Sequence, residues 1–141
     1  MFGAKYWGLN VKRLILTILG VWAFIFASDF LIHGTWLEPT YKSTPTLWRP
    51  EMEMHSFMIY LMLGQFVIAK AFSILFAKGY EGKGIGEGIR FGLLTGFYAA
   101  GFYLIQYAVT PLPCSLVGSW IVAGFGQTIV AGVIASLIYR K

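Results

Sequence analysis

Two pairs of acidic and histidine side chains stand four residues apart in the first half of the chain. Asp29 precedes His33, and Glu51 precedes His55. Residues four apart share one face of a helix, so each pair would present a carboxylate beside an imidazole. Such groups suit zinc, iron, manganese or copper without selecting one of them. They would equally line a pocket for a proton or small molecule, and a purely structural role at two helix ends is the third alternative.

These pairs belong to a window of the chain in which ionisable side chains are concentrated. Both histidines and four of the six acidic residues lie between positions 29 and 55. No HExxH, CxxC or paired ExxH motif accompanies them, so neither a catalytic reaction nor a particular cofactor is indicated. In the structural alternative, Asp29 orients His33, while acidic side chains stabilise the positive N-terminus of the next helix. The candidate pocket or metal site comprises Asp29, His33, Glu51 and His55, with Glu53, Tyr103, Gln106 and Tyr107 as candidate surrounding residues.

The composition of the chain determines which kind of element must position these side chains. The 141 residues are 57% hydrophobic and only 12% charged, and the mean hydropathy is +0.69. Soluble domains carry about 25% charged residues, so this chain is expected to form a single integral membrane domain. Its net charge of +5 is explained by the basic residues that membrane proteins gather on cytoplasmic loops. We therefore expect the lipid bilayer, and no nucleic acid, as a partner.

Four apolar runs approach the ~20 residues that cross a bilayer as a helix. The spans are expected at 11–32, 55–76, 91–109 and 115–139. An outer loop at 33–54 joins the first two spans, and a glycine-rich loop at 77–90 is expected to connect two helical hairpins flexibly. The predicted fold class is an all-α membrane protein, a four-transmembrane-helix bundle of two hairpins that forms one domain over 1–141.

Basic residues are distributed unequally between the two sides of this predicted bundle. One side carries Lys5, Lys12, Arg13, Lys78, Lys83, Arg90, Arg140 and Lys141. The other side carries only Lys42 and Arg49. Since Lys and Arg favour cytoplasmic loops, both termini and the 77–90 loop are expected in the cytoplasm. In a bacterial inner membrane the 33–54 loop would then face the periplasm.

Three polar side chains fall inside the predicted spans, where each needs a partner or a function. Gln65 and Gln127 lie near the middle of their spans and are expected to form hydrogen bonds between helices. Lys70 is about 12 Å from the end of the second span at the rise of a helix, so its long stem is expected to reach toward the headgroups.

Small side chains recur every four residues along the third and fourth spans. The residues concerned are Gly92, Gly96 and Ala100 in the third span and Gly124, Thr128 and Gly132 in the fourth. Small residues let helix backbones approach closely in lipid, where burial of apolar surface gives little driving force. The two stripes predict a tight hairpin of spans three and four, or a contact of one stripe with a second copy of the chain.

Three sequence runs suggest a relationship to known proteins. They are Asp29-Phe-Leu-Ile-His-Gly, Thr44-Pro-Thr-Leu-Trp-Arg-Pro-Glu and Lys78-Gly-Tyr-Glu-Gly-Lys-Gly. Through them the chain resembles small four-span bacterial integral membrane proteins of unknown function, over most of its length. The resemblance implies a four-span topology and a bacterial source, and it assigns no activity and no site residues.

Three classes of function are compatible with these features. The favoured one is a non-catalytic accessory or oligomer-forming subunit of a membrane assembly, partnered by a second copy or by other membrane subunits. The second is a transporter or channel for a small solute or ion. The third is a metal- or cofactor-binding membrane subunit that uses the Asp/His/Glu cluster. Short length and the lack of a catalytic motif favour the first.

Overall fold

Four membrane-length helices make up most of the chain in the computed structural model, which describes residues 5–141. The elements are β1 (Lys5–Tyr6), β2 (Leu9–Asn10), α1 (Val11–Leu31), a π-helical turn (Ile32–Trp36), α2 (Glu38–Lys42), a 3-10 turn (Pro45–Leu47), α3 (Glu51–Lys78), α4 (Ile85–Val109) and α5 (Cys114–Ile138). The strands β1 and β2 pair antiparallel. The prediction of an all-α bundle with four helices able to span a membrane is confirmed.

The helix boundaries differ from the predicted spans by four residues or more at two places. Helix α3 begins at Glu51 rather than at residue 55, and α4 begins at Ile85 rather than at 91. Both extensions consist of polar or glycine-rich turns that hydropathy alone assigns to loops. Acidic residues in the first turn of each helix, including Glu51 and Glu87, stabilise these turns because the N-terminus of a helix is positive.

The two small-residue stripes face each other along a seam between α4 and α5. Gly88 lies directly against the backbone of Gly132. A Cβ atom on Gly92 would stand 2.5 Å from the Cα atom of Ile129, and one on Gly96 would stand 2.6 Å from the ring of Phe125. The stripes are thus used within one chain, and they leave no argument for a contact with a second copy through the same glycines.

Helix α1 packs against both α3 and α5. Thr17, Val21 and Ile25 are buried on α1, and the ring of Trp22 meets that of Phe66 on α3 edge to face. This arrangement brings polar residues near the end of α1 within reach of two other helices.

The connecting segments between the helices, and the two described ends of the chain at residues 5–10 and 139–141, lie at two ends of the bundle. At one, the loop end, Leu37 packs with Leu112 and Leu116, so the 32–50 segment lies against the start of α5. At the other, the terminal end, the backbone N–H of Asn10 donates to the hydroxyl of Tyr139 at 3.3 Å. All the candidate residues of the 29–55 window belong to the loop end or to the helix turns beside it.

The glycine-rich loop at the terminal end is held by a buried carboxylate, rather than being the loose connection that its composition predicts. Glu87 accepts hydrogen bonds from the backbone N–H groups of Glu81 at 2.7 Å and Lys83 at 2.8 Å. Gly82 and Gly84 adopt φ angles of +77° and +71°, which side chains other than glycine rarely adopt. This role of Glu87 cannot be read from the sequence, because an acidic residue in the first turn of a helix is usually exposed to solvent.

Replacing Glu87 by Ala is expected to destabilise the fold by about 1–3 kcal/mol, because two backbone N–H groups lose their acceptor. Reversible unfolding in mixed detergent micelles measures the change. Glu81 is the matched control, since its carboxylate is exposed and pairs with Lys83 at the surface. Glu81→Ala is expected to leave the unfolding free energy within error of wild type, and equal losses in the two variants would contradict the assignment.

Candidate functional site

The centre of the candidate site is the carboxylate of Asp29, near the end of α1. Gln65 of α3 donates from Nε2 to Oδ2 at 2.6 Å, and Gln127 of α5 donates from Nε2 to Oδ1 at 2.7 Å. Gln127 Nε2 also lies 2.7 Å from the hydroxyl of Ser28. The interhelical hydrogen bonds expected of the two glutamines are therefore present. Their shared partner is Asp29, which the sequence analysis grouped with His33, Glu51 and His55 and not with the glutamines.

This junction is deep within the helices. Gln65 lies about 21 Å along α3 from Glu51 at the rise of a helix, which is near the middle of that span. The side chain of Gln65 is only 5% exposed. Its Oε1 atom is buried and accepts no hydrogen bond from any residue that the structure describes. One acceptor at the junction is thus left without a partner among the described residues.

A directed chain of hydrogen bonds leads from α5 to His33. Trp120 donates from Nε1 to the hydroxyl of Tyr41 at 2.8 Å, and that hydroxyl lies 2.6 Å from Nδ1 of His33. Since an indole N–H can only donate, the arrangement that uses every proton has Tyr41 donating to Nδ1. His33 then carries its proton on Nε2, which lies 3.9 Å from Oδ1 of Asp29. Burial raises the pKa of Tyr41, against the opposing effect of the hydrogen bond from Trp120.

A π-helical turn sets the direction of the chain beyond this point. The N–H of Leu37 donates to the carbonyl of Ile32 at 2.8 Å, which closes the wider π-helical ring. Turns of this kind occur often at functional sites. Here the turn directs the chain into α2, which places the hydroxyl of Tyr41 within hydrogen-bond distance of His33.

A cavity of about 800 Å³ opens between the end of α1, the 38–50 segment and the start of α3. Its walls are mainly apolar, and Asp29 and Gln65 are the polar groups farthest from the loop end. The lining residues are Phe26, Asp29, Phe30, His33, Gly34, Glu38, Tyr41, Lys42, Pro45, Trp48, Arg49, Pro50, Glu51, Met54, Met58, Leu61 and Gln65. The arrangement can therefore enclose an apolar body and present a carboxylate to its polar end.

The charged residues at the mouth of the cavity are mostly paired. Lys42 lies 2.7 Å from Glu38, and hydrogen bonding to that carboxylate raises the pKa of Lys42. Arg49 lies 3.7 Å from Glu53, and its guanidinium stands 3.8 Å from the ring centre of Phe57. Neither cation reaches Asp29.

Three of the four candidate pocket residues share the cavity, and one does not. Asp29, His33 and Glu51 line it, whereas His55 is exposed and is not among the lining residues. The lining residues of α3, from Glu51 to Gln65, define one face of that helix. At 3.6 residues per turn, the side chain of His55 points about 80° away from the mean direction of this face. Among residues 5–141, no three His, Cys, Asp or Glu side chains lie close enough to hold a metal ion. The metal alternative therefore has no support in the geometry.

The other candidate residues lie outside the cavity. Glu53 pairs with Arg49, Gln106 donates to the hydroxyl of Thr110 at 2.7 Å, and Tyr107 is 43% exposed. Tyr103 reaches the site only indirectly, because its ring packs 5.8 Å from that of Trp120. Lys70 is exposed on α3, and Ala100 is half-buried on α4.

Sequence reasoning missed the aromatic contribution to the site. Tyr41 and Trp48 lie in the 33–54 loop and are absent from the predicted site, yet both line the cavity. Their rings meet edge to face at 5.1 Å, and Trp48 in turn meets Trp120 at 6.2 Å. The only signal was the density of aromatic residues between two helix ends.

No family model, curated protein or solved structure matches this chain. The resemblance to small bacterial membrane proteins therefore stays a prediction, and the function has to be inferred from the cavity itself.

Proposed function

We propose that this protein is an integral membrane protein that binds an amphiphilic small molecule in the cavity at its loop end. The observation that carries the proposal is the cavity of about 800 Å³ with apolar walls and the Asp29 carboxylate among its lining residues. Ligand sites commonly have this size, mostly apolar walls and a few convergent polar groups. An apolar body against the walls and a polar head at Asp29 match that pattern.

A structural role alone explains less of the site. Ionisable groups within membrane helices are costly and usually mark a function. Interhelical hydrogen bonding explains why Gln65 and Gln127 donate to Asp29. It does not explain a large apolar cavity beside the carboxylate or the free, buried acceptor of Gln65.

Binding is tested with bromoalkyl amphiphiles titrated into the protein in lipid nanodiscs, because bromine quenches tryptophan fluorescence on contact. We expect saturable quenching that is largely lost in Trp48→Phe, since Trp48 lines the cavity. A bromoalkyl ammonium and a bromoalkyl alcohol serve as probes. Quenching that rises linearly with both probes, as partition into lipid alone would give, would overturn the proposal.

A matched pair of glycine variants locates the binding. Gly34 lines the cavity, and a Cβ atom there would make only ordinary contacts with Phe30, the nearest at 3.6 Å. Gly64 lies outside the lining, and a Cβ atom there would meet nothing within 4 Å. We expect Gly34→Leu to weaken binding about tenfold or more by filling the cavity, which is about 1.4 kcal/mol. Gly64→Leu is expected to bind as wild type does.

We also propose that both termini are cytoplasmic, that the cavity opens on the outer side, and that the membrane is the bacterial inner membrane. The eight-to-two distribution of basic residues supports this orientation. Cys114 is the single cysteine of the chain and is exposed at the start of α5. A membrane-impermeant thiol reagent added to intact bacterial cells is therefore expected to label it.

The control for orientation is a protein with Cys114→Ser and Lys83→Cys. Lys83 is exposed in the loop before α4, at the terminal end, so labelling is expected only after the cells are permeabilised. The reverse pattern in the two proteins would contradict the proposed orientation.

The other functional classes stay predictions. An accessory subunit or a transporter can each contain a binding site of this kind. The oligomer-forming role has lost its argument from the glycine stripes, because Gly88, Gly92 and Gly132 are used inside the chain.

A further inference from the structure

We infer that the ligand is an amphiphilic amine, whose protonated head group donates hydrogen bonds to Asp29 and to Oε1 of Gln65. The inference rests on the proposed function and adds the chemical class of the ligand. It depends on the balance of charge, donors and acceptors at the inner part of the cavity.

Two carboxylates that line the cavity, Asp29 and Glu51, form no ion pair with Lys or Arg among the described residues. Glu51 is exposed to solvent at the start of α3, whereas Asp29 is half-buried between the helices. The two cationic lining residues are engaged elsewhere, Lys42 with Glu38 at 2.7 Å and Arg49 with Glu53 at 3.7 Å. Among the described residues, no Lys or Arg forms an ion pair with Asp29, which has only the imidazole of His33 at 3.9 Å. A charge in an apolar enclosure is stabilised by an opposite charge. A cationic ligand supplies that charge, and an anionic one would add a further negative charge beside Asp29.

The hydrogen-bonding groups select a donor-rich head. The Nε2 atom of Gln65 is used by Asp29 at 2.6 Å, so its Oε1 atom is the group left for a ligand. That oxygen is buried and has no partner among the described residues, and the side chain that carries it lines the cavity. The head group reaches it once the amide of Gln65 turns toward the cavity. A primary ammonium carries several N–H donors, enough for both Asp29 and Gln65. A carboxylate or phosphate head only accepts and would meet acceptors.

The remaining walls suit an apolar body. Phe26, Phe30, Met54 and Met58 lie along the sides of the cavity. Methionine side chains adapt to bodies of different shape, and aromatic faces attract organic cations. The walls therefore admit alkyl or aryl chains, whereas the junction at Asp29 and Gln65 is specific for the head group.

Four bromoalkyl amphiphiles with the same chain test the inference in the fluorescence assay. Their heads are primary ammonium, trimethylammonium, hydroxyl and carboxylate. In wild-type protein we expect the primary ammonium to bind about tenfold more tightly than the alcohol, which is about 1.4 kcal/mol. The trimethylammonium compound is expected to be weaker than the primary amine, because it has no N–H to give to Gln65. The carboxylate is expected to bind most weakly.

Asp29→Asn keeps the shape of the site and removes its charge. In this variant the affinity for the primary ammonium compound is expected to fall about tenfold, so that its preference over the alcohol disappears. The affinity for the alcohol is expected to stay within a factor of about two of wild type. Glu81→Gln removes an acid at the opposite end of the bundle and is expected to change nothing. The wild-type ranking of the four compounds tests the inference even if Asp29→Asn fails to fold.

The outcomes separate the inference from the proposed function. If the alcohol or the carboxylate binds as tightly as the amine, the amine inference falls and the binding function stands. If the trimethylammonium compound equals the primary amine, the role assigned to Gln65 Oε1 is wrong and the inference as stated falls. If none of the four binds saturably, the inference and the proposed function fall together.

Discussion

Gly132→Leu is expected to destabilise the folded protein by at least about 3 kcal/mol, because the side chain has to enter the seam between α4 and α5. A Cβ atom at position 132 would overlap the carbonyl oxygen of Gly88. That oxygen belongs to the backbone, so it can move away only if the two helices separate. Separation would remove the close backbone contact that holds helices together in lipid.

The matched control for the seam is Gly126→Leu on the same helix. A Cβ atom at Gly126 would meet nothing within 4 Å. Since Leu favours a helix more than Gly does, this change is expected to be neutral or stabilising by up to about 1 kcal/mol. Reversible unfolding of both variants in mixed detergent micelles gives the comparison. Similar unfolding free energies for the two would show that α4 and α5 do not meet along these glycines.

The second large effect is expected at Asp29. Asp29→Leu removes the acceptor of Gln65 and one of the two acceptors of Gln127. The Gln65 amide is left without a partner among the described residues, whereas Gln127 keeps the hydroxyl of Ser28. Each orphaned donor in a protein interior costs about 1–3 kcal/mol, although hydrogen bonds within membranes average only about 0.6 kcal/mol. We therefore expect a loss on the order of 2 kcal/mol in the unfolding free energy.

Asp29→Asn separates hydrogen bonding from charge at this junction, and Gln106→Leu serves as a control away from it. An Asn side chain at position 29 can accept a hydrogen bond from one glutamine through its Oδ1 atom. It can donate to the other glutamine through its Nδ2 atom, provided that this glutamine rotates its amide to present the oxygen. Asp29→Asn is therefore expected to keep most of the stability. Gln106→Leu removes an amide whose partner is Thr110 at the exposed end of α4, and it is expected to have little effect. An Asp29→Leu protein as stable as Gln106→Leu would contradict the junction.

The helical architecture was accessible to sequence reasoning because its signals are local. Each span is a continuous apolar run, and the seam is visible as small residues every four positions. Boundaries were less accessible, since the first turns of α3 and α4 are polar or glycine-rich. The concentration of ionisable residues in the 29–55 window is likewise visible in the sequence alone.

The junction at Asp29 could not be predicted, because it depends on how three helices are shifted and rotated relative to one another. Gln65 and Gln127 are far from Asp29 in the chain, and periodicity places each on a face without saying which faces meet. The π-helical turn has no sequence signature of its own, yet it brings Tyr41 back to His33. His55 was expected in the site because it lies four residues after Glu51. It is not among the lining residues, because Glu51 lies at the edge of the lining face of α3 and His55 points away from that face.

The most direct test of the binding site uses the methionine methyl groups, observed by NMR in protein labelled with ¹³C-methyl methionine in nanodiscs. Met54 and Met58 line the cavity, whereas Met52 is 90% exposed and, like Met62, lies outside the lining. On addition of the bromoalkyl ammonium, the signals of Met54 and Met58 are expected to shift saturably while those of Met52 and Met62 stay in place. Equal, non-saturating shifts of all four signals, or no shift at Met54 and Met58, would contradict a ligand site in this cavity.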